Sequence, residues 1–294
     1  MGYKARVRPR PASAALILAG SSLVLAAMAL LAKEAAGRLP GPEIAFVRFV
    51  VGLAACLVVA STRGLRPRNK SGLLLRGALG GSAVLCYFLA IEHLPVGLAT
   101  LLNYTAPVFT ALWAAAFLGE RVDGKTIVAL ALATSGAALV SGASWGFGPW
   151  VLVGALSAVV SGAAVATIRE VRRTDGAWEI FAAFCAGGVL ITGVPALRSW
   201  VPPSTHEWQL LGAVGLTAVV GQLGLTWSLR YLRAATAGVL QQLTPVGALA
   251  LGAAVYGDRI TPLSAVGAAL TVAGVSYGAW QMARAGPPVL PEDS

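Results

Sequence analysis

Charged residues are scarce in this chain. Only 12% of its 294 residues are charged, whereas 57% are hydrophobic and the mean hydropathy is +0.75. A soluble domain usually carries about 25% charged residues, which keep its surface hydrated. The chain lacks that polar surface. We therefore expect a polytopic membrane protein and exclude a soluble globular fold.

Histidine and cysteine are also scarce, and this argues against chemistry inside the membrane. The histidines are His93 and His206, and the three cysteines (Cys56, Cys86 and Cys185) lie in apolar runs. Neither a metal-ligand spacing nor a disulfide framework is present. An intramembrane lipid-modifying enzyme, the alternative to a transporter, needs His, Asp or Glu side chains that converge at one depth. No predicted span has such a residue at its middle, so we expect no catalytic residue, no metal and no cofactor.

The net charge of +10 does not indicate nucleic-acid binding. Basic faces that bind single strands are interleaved with aromatic residues, and no such face is present. Short basic clusters between apolar runs instead orient membrane proteins. The clusters are Lys4, Arg6, Arg8 and Arg10; Arg63, Arg66, Arg68 and Lys70; and Arg169, Arg172 and Arg173.

The apolar runs predict an all-α membrane protein with ten transmembrane helices. About 20 residues are needed to cross roughly 30 Å of hydrocarbon. Ten such spans leave too little chain for a separate extramembranous domain. The predicted spans are 12–32, 44–61, 73–91, 96–118, 126–141, 149–168, 177–197, 208–229, 236–256 and 262–283.

An excess of arginine and lysine on alternate loops predicts the orientation. With both termini in the cytoplasm, seventeen basic residues, from Lys4 to Arg284, fall inside and three fall outside. Positively charged loops stay on the cytoplasmic side of a membrane. We therefore expect a multi-pass protein of the cell inner membrane with both termini cytoplasmic.

The two halves of the chain resemble each other at a constant offset of 138 residues. Each half holds five predicted helices, an odd number, so the second copy enters the membrane from the opposite side. Inverted repeats are typical of alternating-access transporters. We expect a first repeat in 1–141, a second in 149–283 and a cytoplasmic tail in 284–294. The aligned pairs include Leu94–Ala99 with Leu232–Ala237, Pro107 with Pro245, and Gly119–Val122 with Gly257–Ile260.

The run from Gly77 to Val122, with Thr105–Leu112 and Gly119–Val122 at its end, resembles the EamA-type repeat of the drug/metabolite transporter superfamily. Lys33 and Arg48-Phe49 are also similar to that pattern. The resemblance covers both halves. It implies an inner-membrane carrier, chiefly an exporter of amino acids and other small metabolites. An amino-acid exporter of the YddG type would have this size and topology.

Matching prolines and amides near the middle of two spans are the main candidates for a substrate site. Pro107 and Pro245 are predicted to kink their helices, and the carbonyl groups freed by a kink need polar surroundings. Uncharged amides are costly in hydrocarbon and should point inward. Interhelical bonding is the alternative role of these amides. The candidates are Asn103, Tyr104 and Pro107 in one half and Gln241, Gln242 and Pro245 in the other.

Several further residues are weaker candidates. Tyr87 and Trp227 could supply flat walls for a substrate, or simply pack against neighbouring helices. Arg48 lies near the outer end of its predicted helix, with Lys33 on the same side. These two could snorkel to the headgroups or pair with Glu34 or Glu43, or they could attract a substrate carboxylate at the external mouth. Gln222, Ser82, Ser157 and Ser161 are candidates of the same kind as the amides.

These observations favour a secondary transporter of small metabolites such as amino acids. A phosphate-bearing substrate would require several inward-facing basic residues, and a cationic drug-like substrate remains a further alternative. Proton relays in transporters use acidic residues or histidines within the membrane. Because no span has one at its middle, facilitated diffusion is the simpler mechanism. The expected partners are the substrate and the lipid bilayer, and the oligomeric state is left open.

Cysteine substitution tests the predicted orientation. Ser144→Cys and Ser204→Cys should react with a membrane-impermeant maleimide added outside intact cells. Arg68→Cys should react only after the cells are opened, because the basic loops should lie in the cytoplasm. The unsubstituted chain is the control, since its own cysteines lie in apolar runs. Labelling on the opposite sides would contradict the orientation.

Overall fold

The structure is a computed structural model that describes residues 11–93, 102–120, 122–141, 148–257 and 260–285. The regular elements of these residues are helices. They are α1 (Pro11–Ala35), α2 (Gly41–Arg63), α3 (Lys70–His93), α4 (Ala106–Leu118), α5 (Gly124–Ser141), α6 (Pro149–Val171), α7 (Ala177–Arg198), α8 (Thr205–Ser228), α9 (Ala234–Gln241), α10 (Leu243–Tyr256) and α11 (Pro262–Ala285).

The prediction of an all-helical membrane protein is confirmed, although the count of ten continuous helices is not exact. Seven helical stretches of the described residues are long and apolar enough to cross a membrane. Three shorter apolar helices, Leu102–Leu118, Gly124–Leu139 and Pro262–Gly278, lie at the other predicted spans. The ninth predicted span is divided into α9 and α10 at Gln242. The start of the fourth span and the C-terminal tail lie outside the described residues.

The helix connections gather at two ends of the bundle. Hydrogen bonds from the backbone amides of Arg66 and Arg68 to Glu179 and Asp175 join the α2–α3 and α6–α7 connections, at what we term the basic end. The side chain of Arg38 bonds to Glu207 and so joins the α1–α2 connection to the start of α8 at the opposite end. Helix α1 starts at the basic end and α6 at the opposite end. The two halves of the chain therefore run in opposite directions.

Helix packing is reciprocal between the halves. Helix α1 packs on α8, and the corresponding helices α6 and α3 pack on each other. Helix α4 packs on α6 as α10 packs on α1, while α2 pairs with α7 and α5 with α11. This is the pattern expected of two five-helix repeats related by a pseudo-two-fold axis in the membrane plane.

Glycines end two corresponding helices. Gly119 follows α4 with φ 63° and Gly257 follows α10 with φ 68°, both in the left-handed region. A side chain is unfavourable in that conformation, which explains why glycine opens the repeated Gly-acid-Arg-aliphatic motif. In the first copy the next residue, Glu120, accepts hydrogen bonds from Arg169 and from the amide of Ala234. The motif therefore ends one helix and ties it to two others.

Asp175 secures the basic end. Its carboxylate accepts hydrogen bonds from the backbone amides of Arg68 (2.7 Å) and Asn69 (3.0 Å) and from the hydroxyl of Thr174 (2.6 Å). Burial by itself raises the pKa of this carboxyl, but the hydrogen bonds outweigh that effect and hold its pKa below the ordinary value. The α2–α3 connection is therefore held to the α6–α7 connection by an ionised group.

Glycines also permit the closest helix contacts. A Cβ atom on Gly187 of α7 would overlap the backbone of Gly77 in α3, and one on Gly136 of α5 would overlap α11 at Gly267 and Thr271. Lipid supplies no hydrophobic force between helices, so van der Waals contact through small residues must supply the attraction. The glycine clusters therefore mark the interfaces of α3 with α7 and of α5 with α11.

Gly187→Ala should destabilise the protein because the added methyl group overlaps the backbone of α3. Overpacking of this kind costs about 1–3 kcal/mol, and we expect the apparent Tm in detergent to fall by several degrees. Gly212→Ala in α8 is the control, because nothing lies within 4 Å of its added Cβ. Equal Tm values for the two variants would contradict the close α3–α7 contact.

Candidate functional site

Two transmembrane stretches are interrupted at corresponding places. Residues 102–104 are helical, and α4 begins after a turn at Thr105, so Pro107 lies in the first turn of α4. In the second half α9 ends at Gln241, α10 begins at Leu243, and Pro245 is the third residue of α10. A proline in the first turn of a helix has no hydrogen-bonding partner to lose. Thr105 and Gln242 keep right-handed helical backbone angles, so each interruption, which we term a helix break, is a local loss of helical hydrogen bonding just before the proline.

Gln242 joins three helical segments at the second break. Its side chain is fully buried, and Nε2 donates hydrogen bonds of 3.0 Å to the backbone oxygen of Tyr104 and to Oγ1 of Thr134 in α5. Its Oε1 is enclosed without a hydrogen-bond partner among the described residues. The amide nitrogen thus serves interhelical bonding, whereas the oxygen is left available for another donor.

Asn103 and Tyr104 lie beside this link and are partly buried. Nδ2 of Asn103 is 3.4 Å from Oγ of Ser157 in α6, and that hydroxyl donates to the backbone of Gly154. Tyr87 of α3 lies near Tyr104. The structure therefore brings Asn103, Tyr104 and Gln242 together, with Tyr87 as a neighbour.

The other predicted residues lie around this group or apart from it. Gln241 is partly buried, and its Nε2 is 3.5 Å from the backbone oxygen of Ala237 in its own helix. Trp227 lies in the last turn of α8 at the basic end, where its ring packs 4.8 Å from that of Tyr231. Pro107 and Pro245 are buried, and Gln222, Ser82 and Ser161 are partly buried.

Arg48 is buried inside the bundle and does not snorkel. Only 8% of the residue is exposed, and its Cζ lies 4.9 Å from the ring centroid of Phe49 and 5.9 Å from that of Phe184 in α7. Its Nη1 is 3.8 Å from Sδ of Met28 in α1. The described contacts of Arg48 include neither of the two predicted carboxylates; Glu34 contacts His206, and Glu43 accepts from the amide of Val201.

A second arginine, Arg76 of α3, lies against the same aromatic ring. Arg76 is 4% exposed, its Cζ is 4.0 Å from the ring centroid of Phe184, and its Nε is enclosed without a partner among the described residues. Arg76 is one of the seventeen basic residues that we assigned to the cytoplasmic side, but its side chain lies inside the bundle. The predicted span 73–91 includes Arg76, and this could have indicated that the residue lies within the membrane.

No carboxylate that the structure describes neutralises this pair. Eight acidic residues have side chains that the structure describes, and each of them bonds to a group other than these arginines, although Oε1 of Glu43 is enclosed without a partner. Glu34 and Glu43 have the partners given above, Glu120 pairs with Arg169, Glu170 with Arg173, and Glu207 with Arg38. Asp123, Asp175 and Glu179 accept backbone hydrogen bonds. The described residues therefore leave two buried guanidinium groups without counter-ions.

A separate groove of about 620 Å³ lies between α3, α4 and α6. Its walls include Leu75 and Phe117, both well exposed on the outer surface of the bundle, and Asn69 and Arg173 lie at its basic end. None of the residues predicted for the substrate site lines it. The groove belongs to the outer surface, apart from the polar group at the helix breaks.

The chain is similar to known transporters over most of its length. The EamA-like transporter family matches it twice, over residues 12–142 and 148–277. The chain is 33% identical to "Pseudopaline exporter CntI" of Pseudomonas aeruginosa (strain UCBPP-PA14) over 222 residues, which is 73% of this chain and 77% of the relative. It is 30% identical to "Probable terminal-alkyne amino-acid exporter" of Streptantibioticus cattleyicolor over 244 residues, 78% of this chain and 80% of the relative.

The fold is also that of a solved crystal structure. That structure superposes with a TM-score of 0.79 at 24% sequence identity, covering 93% of this chain and 99% of the other. At this identity the likeness establishes the arrangement of the helices and nothing about the substrate.

Proposed function

The chain belongs to the EamA-like transporter family, and from this membership we propose that it exports small metabolites such as amino acids. It is a small-molecule transporter and not an enzyme. The two relatives described above are named as exporters, one of pseudopaline and the other of a terminal-alkyne amino acid. We propose the cell inner membrane as the site of action, with both termini in the cytoplasm.

The proposed mechanism is alternating access between the two five-helix halves. The observation that carries it is the pair of helix breaks, before Pro107 and before Pro245, in halves that run in opposite directions. Interrupted helices at the interface of inverted repeats commonly form the substrate site of secondary transporters. Ion pairs at the two ends, Arg169–Glu120 and Arg38–Glu207, would then hold one end closed while the other opens.

The substrate site proposed here lies at the helix breaks near the middle of the bundle. Asn103 and Tyr104 contribute from the first half and Gln241 and Gln242 from the second, with Pro107 and Pro245 shaping the backbone. Tyr87 forms part of the wall. The amides can both donate and accept hydrogen bonds, which suits a polar, zwitterionic substrate. We also retain Arg48, on a neighbouring helix, and Trp227, nearer the basic end.

Transport is expected to run down the substrate gradient without proton coupling. A coupled carrier needs a carboxylate or histidine that exchanges a proton during each cycle. The acidic side chains described in the structure lie in connections or end turns of helices, where most are already bonded. The high concentration of metabolites inside a cell would make such a uniporter an exporter. Conformational bias would come only from differential substrate affinity between the two states.

Proteoliposomes test this function directly. The purified chain should exchange radiolabelled amino acids faster than protein-free liposomes, and an imposed proton gradient should produce no net accumulation because no carboxylate cycles a proton. A panel of amino acids and small cations identifies the substrate. Accumulation that a protonophore abolishes would contradict uniport and direct attention to Glu43, Glu34, Glu92 and Glu179. No exchange across the panel would contradict amino-acid export.

Asn103→Leu and Gln241→Leu should each reduce transport at least several-fold, because both remove a hydrogen-bonding amide from the proposed site. Insertion and Tm should stay close to those of the parent, since neither side chain makes a strong interhelical bond. Thr217→Val is the matched control, because the hydroxyl of Thr217 bonds only within its own helix. The measurement is the initial transport rate of each variant at equal protein content. Unchanged rates in both variants would remove these residues from the site.

A further inference from the structure

Among the residues that the structure describes, no counter-ion compensates the charge of the two buried arginines, Arg48 and Arg76. Arg48 lies seven residues into α2 from the opposite end, and Arg76 six residues into α3 from the basic end, about 10 Å and 9 Å along their helices. Both guanidinium groups rest against Phe184, and the two positive charges repel each other. A charged side chain within a membrane is costly unless it is paired, and such residues commonly mark a ligand pathway.

Two glycines leave the space that the guanidinium groups and the neighbouring aromatic rings occupy. A Cβ atom on Gly80, one turn beyond Arg76, would overlap both Nη1 of Arg76 and the ring of Phe184. A Cβ atom on Gly188 would overlap the ring of Phe49, which lies beneath Arg48 and packs edge-on against Phe184 at 4.9 Å. Two glycines and two aromatic rings, from helices α2, α3 and α7, thus surround the two guanidinium groups.

We infer that Arg48 and Arg76 together bind a carboxylate group of the transported substrate. The inference rests on the proposed transport function. A carboxylate offers about four lone-pair sites, and the edge of each guanidinium group presents two N–H donors. One carboxylate can therefore engage both arginines and reduce their mutual repulsion.

The neighbourhood favours a carboxylate over a phosphate. A phosphate group has a third exposed oxygen that needs its own donors. The described neighbours of the arginines, namely Phe49, Phe184, Cys185 and Met28, supply no strong donor. Both oxygens of a carboxylate can accept hydrogen bonds from the two guanidinium groups.

Ligand binding to the full chain in detergent tests the inference without measuring transport. Sodium benzoate and benzamide have nearly the same shape and differ in charge, and sodium chloride at the same ionic strength controls for salt. Benzoate should give a saturable rise in Tm, benzamide should give none, and inorganic phosphate should give a smaller rise than benzoate. Equal shifts from benzoate and benzamide, no shift from benzoate, or a larger shift from phosphate would each overturn the assignment.

Arginine variants locate the binding. Arg48→Met and Arg76→Met should each abolish the benzoate shift, while the ligand-free Tm stays equal or rises because an unpaired buried charge is removed. A purely structural pair of arginines would give the opposite result, a lowered ligand-free Tm with the benzoate shift retained. Arg173→Met is the control and should retain the shift, since Arg173 is exposed and pairs with Glu170.

Lysine variants cover the case in which a methionine variant fails to fold. Arg48→Lys and Arg76→Lys keep the charge but lose the two-donor edge, so the benzoate shift should be reduced several-fold. A full benzoate shift in both lysine variants would overturn the inference. Benzoate binding without any transport in proteoliposomes would contradict the proposed function and leave this site standing. Transport at the parent rate by both methionine variants would contradict this site and leave the proposed function standing.

Discussion

The absence of a hydrophobic force between helices in lipid is the constraint on which this structure depends. In water, apolar side chains alone would join the helices, but in hydrocarbon they associate equally well with lipid. The bundle must therefore rely on close backbone contact and on polar bonds. Close contact appears where Gly187 meets Gly77 and where Gly136 meets α11. Polar bonds appear at both ends, through Asp175 and Glu120 at the basic end and through Glu207 at the other. Within the bundle Gln242 adds hydrogen bonds to two other helical segments.

The same solvent restricts where the backbone can be irregular. An interrupted helix exposes carbonyl groups that lipid cannot satisfy, so a break is stable only inside the protein. The break before Pro107 meets this condition, because Gln242 donates to the carbonyl of Tyr104 across the bundle. Under the internal repeat Tyr104 and Gln242 are corresponding positions. A side chain at the break of the second repeat therefore satisfies the backbone at the break of the first.

The sequence allowed the helical spans, the repeat and its direction to be predicted, because hydropathy and charge act over windows of about 20 residues in a membrane. Features decided by a single residue's surroundings were harder to predict. Gln242 and Gln241 look alike as neighbouring amides, yet only Gln242 reaches two other helices. Arg76 follows a basic cluster in the sequence, so it is easily assigned to a loop. Only the start of α3 at Lys70 shows that it lies within a helix. The partner of Arg76 is also a ring on α7, more than 100 positions away, and no local pattern reports that contact.

A contrast between the ends and the middle of the bundle connects these features. Each end of the bundle has an arginine paired with a carboxylate, Arg169 with Glu120 and Arg38 with Glu207. At the middle the two arginines have aromatic neighbours but no described counter-ion. An ion pair within the protein stabilises the closed arrangement in which it forms. An unpaired buried charge instead favours binding of a ligand that carries the opposite charge. Arg48 and Arg76 lie on the first half of the chain, and Phe184 lies on the second. An anionic group bound there would lower the repulsion at the interface where the halves must move past each other. The binding energy would then be available for the conformational change, which is the way in which a ligand shifts an equilibrium between two states.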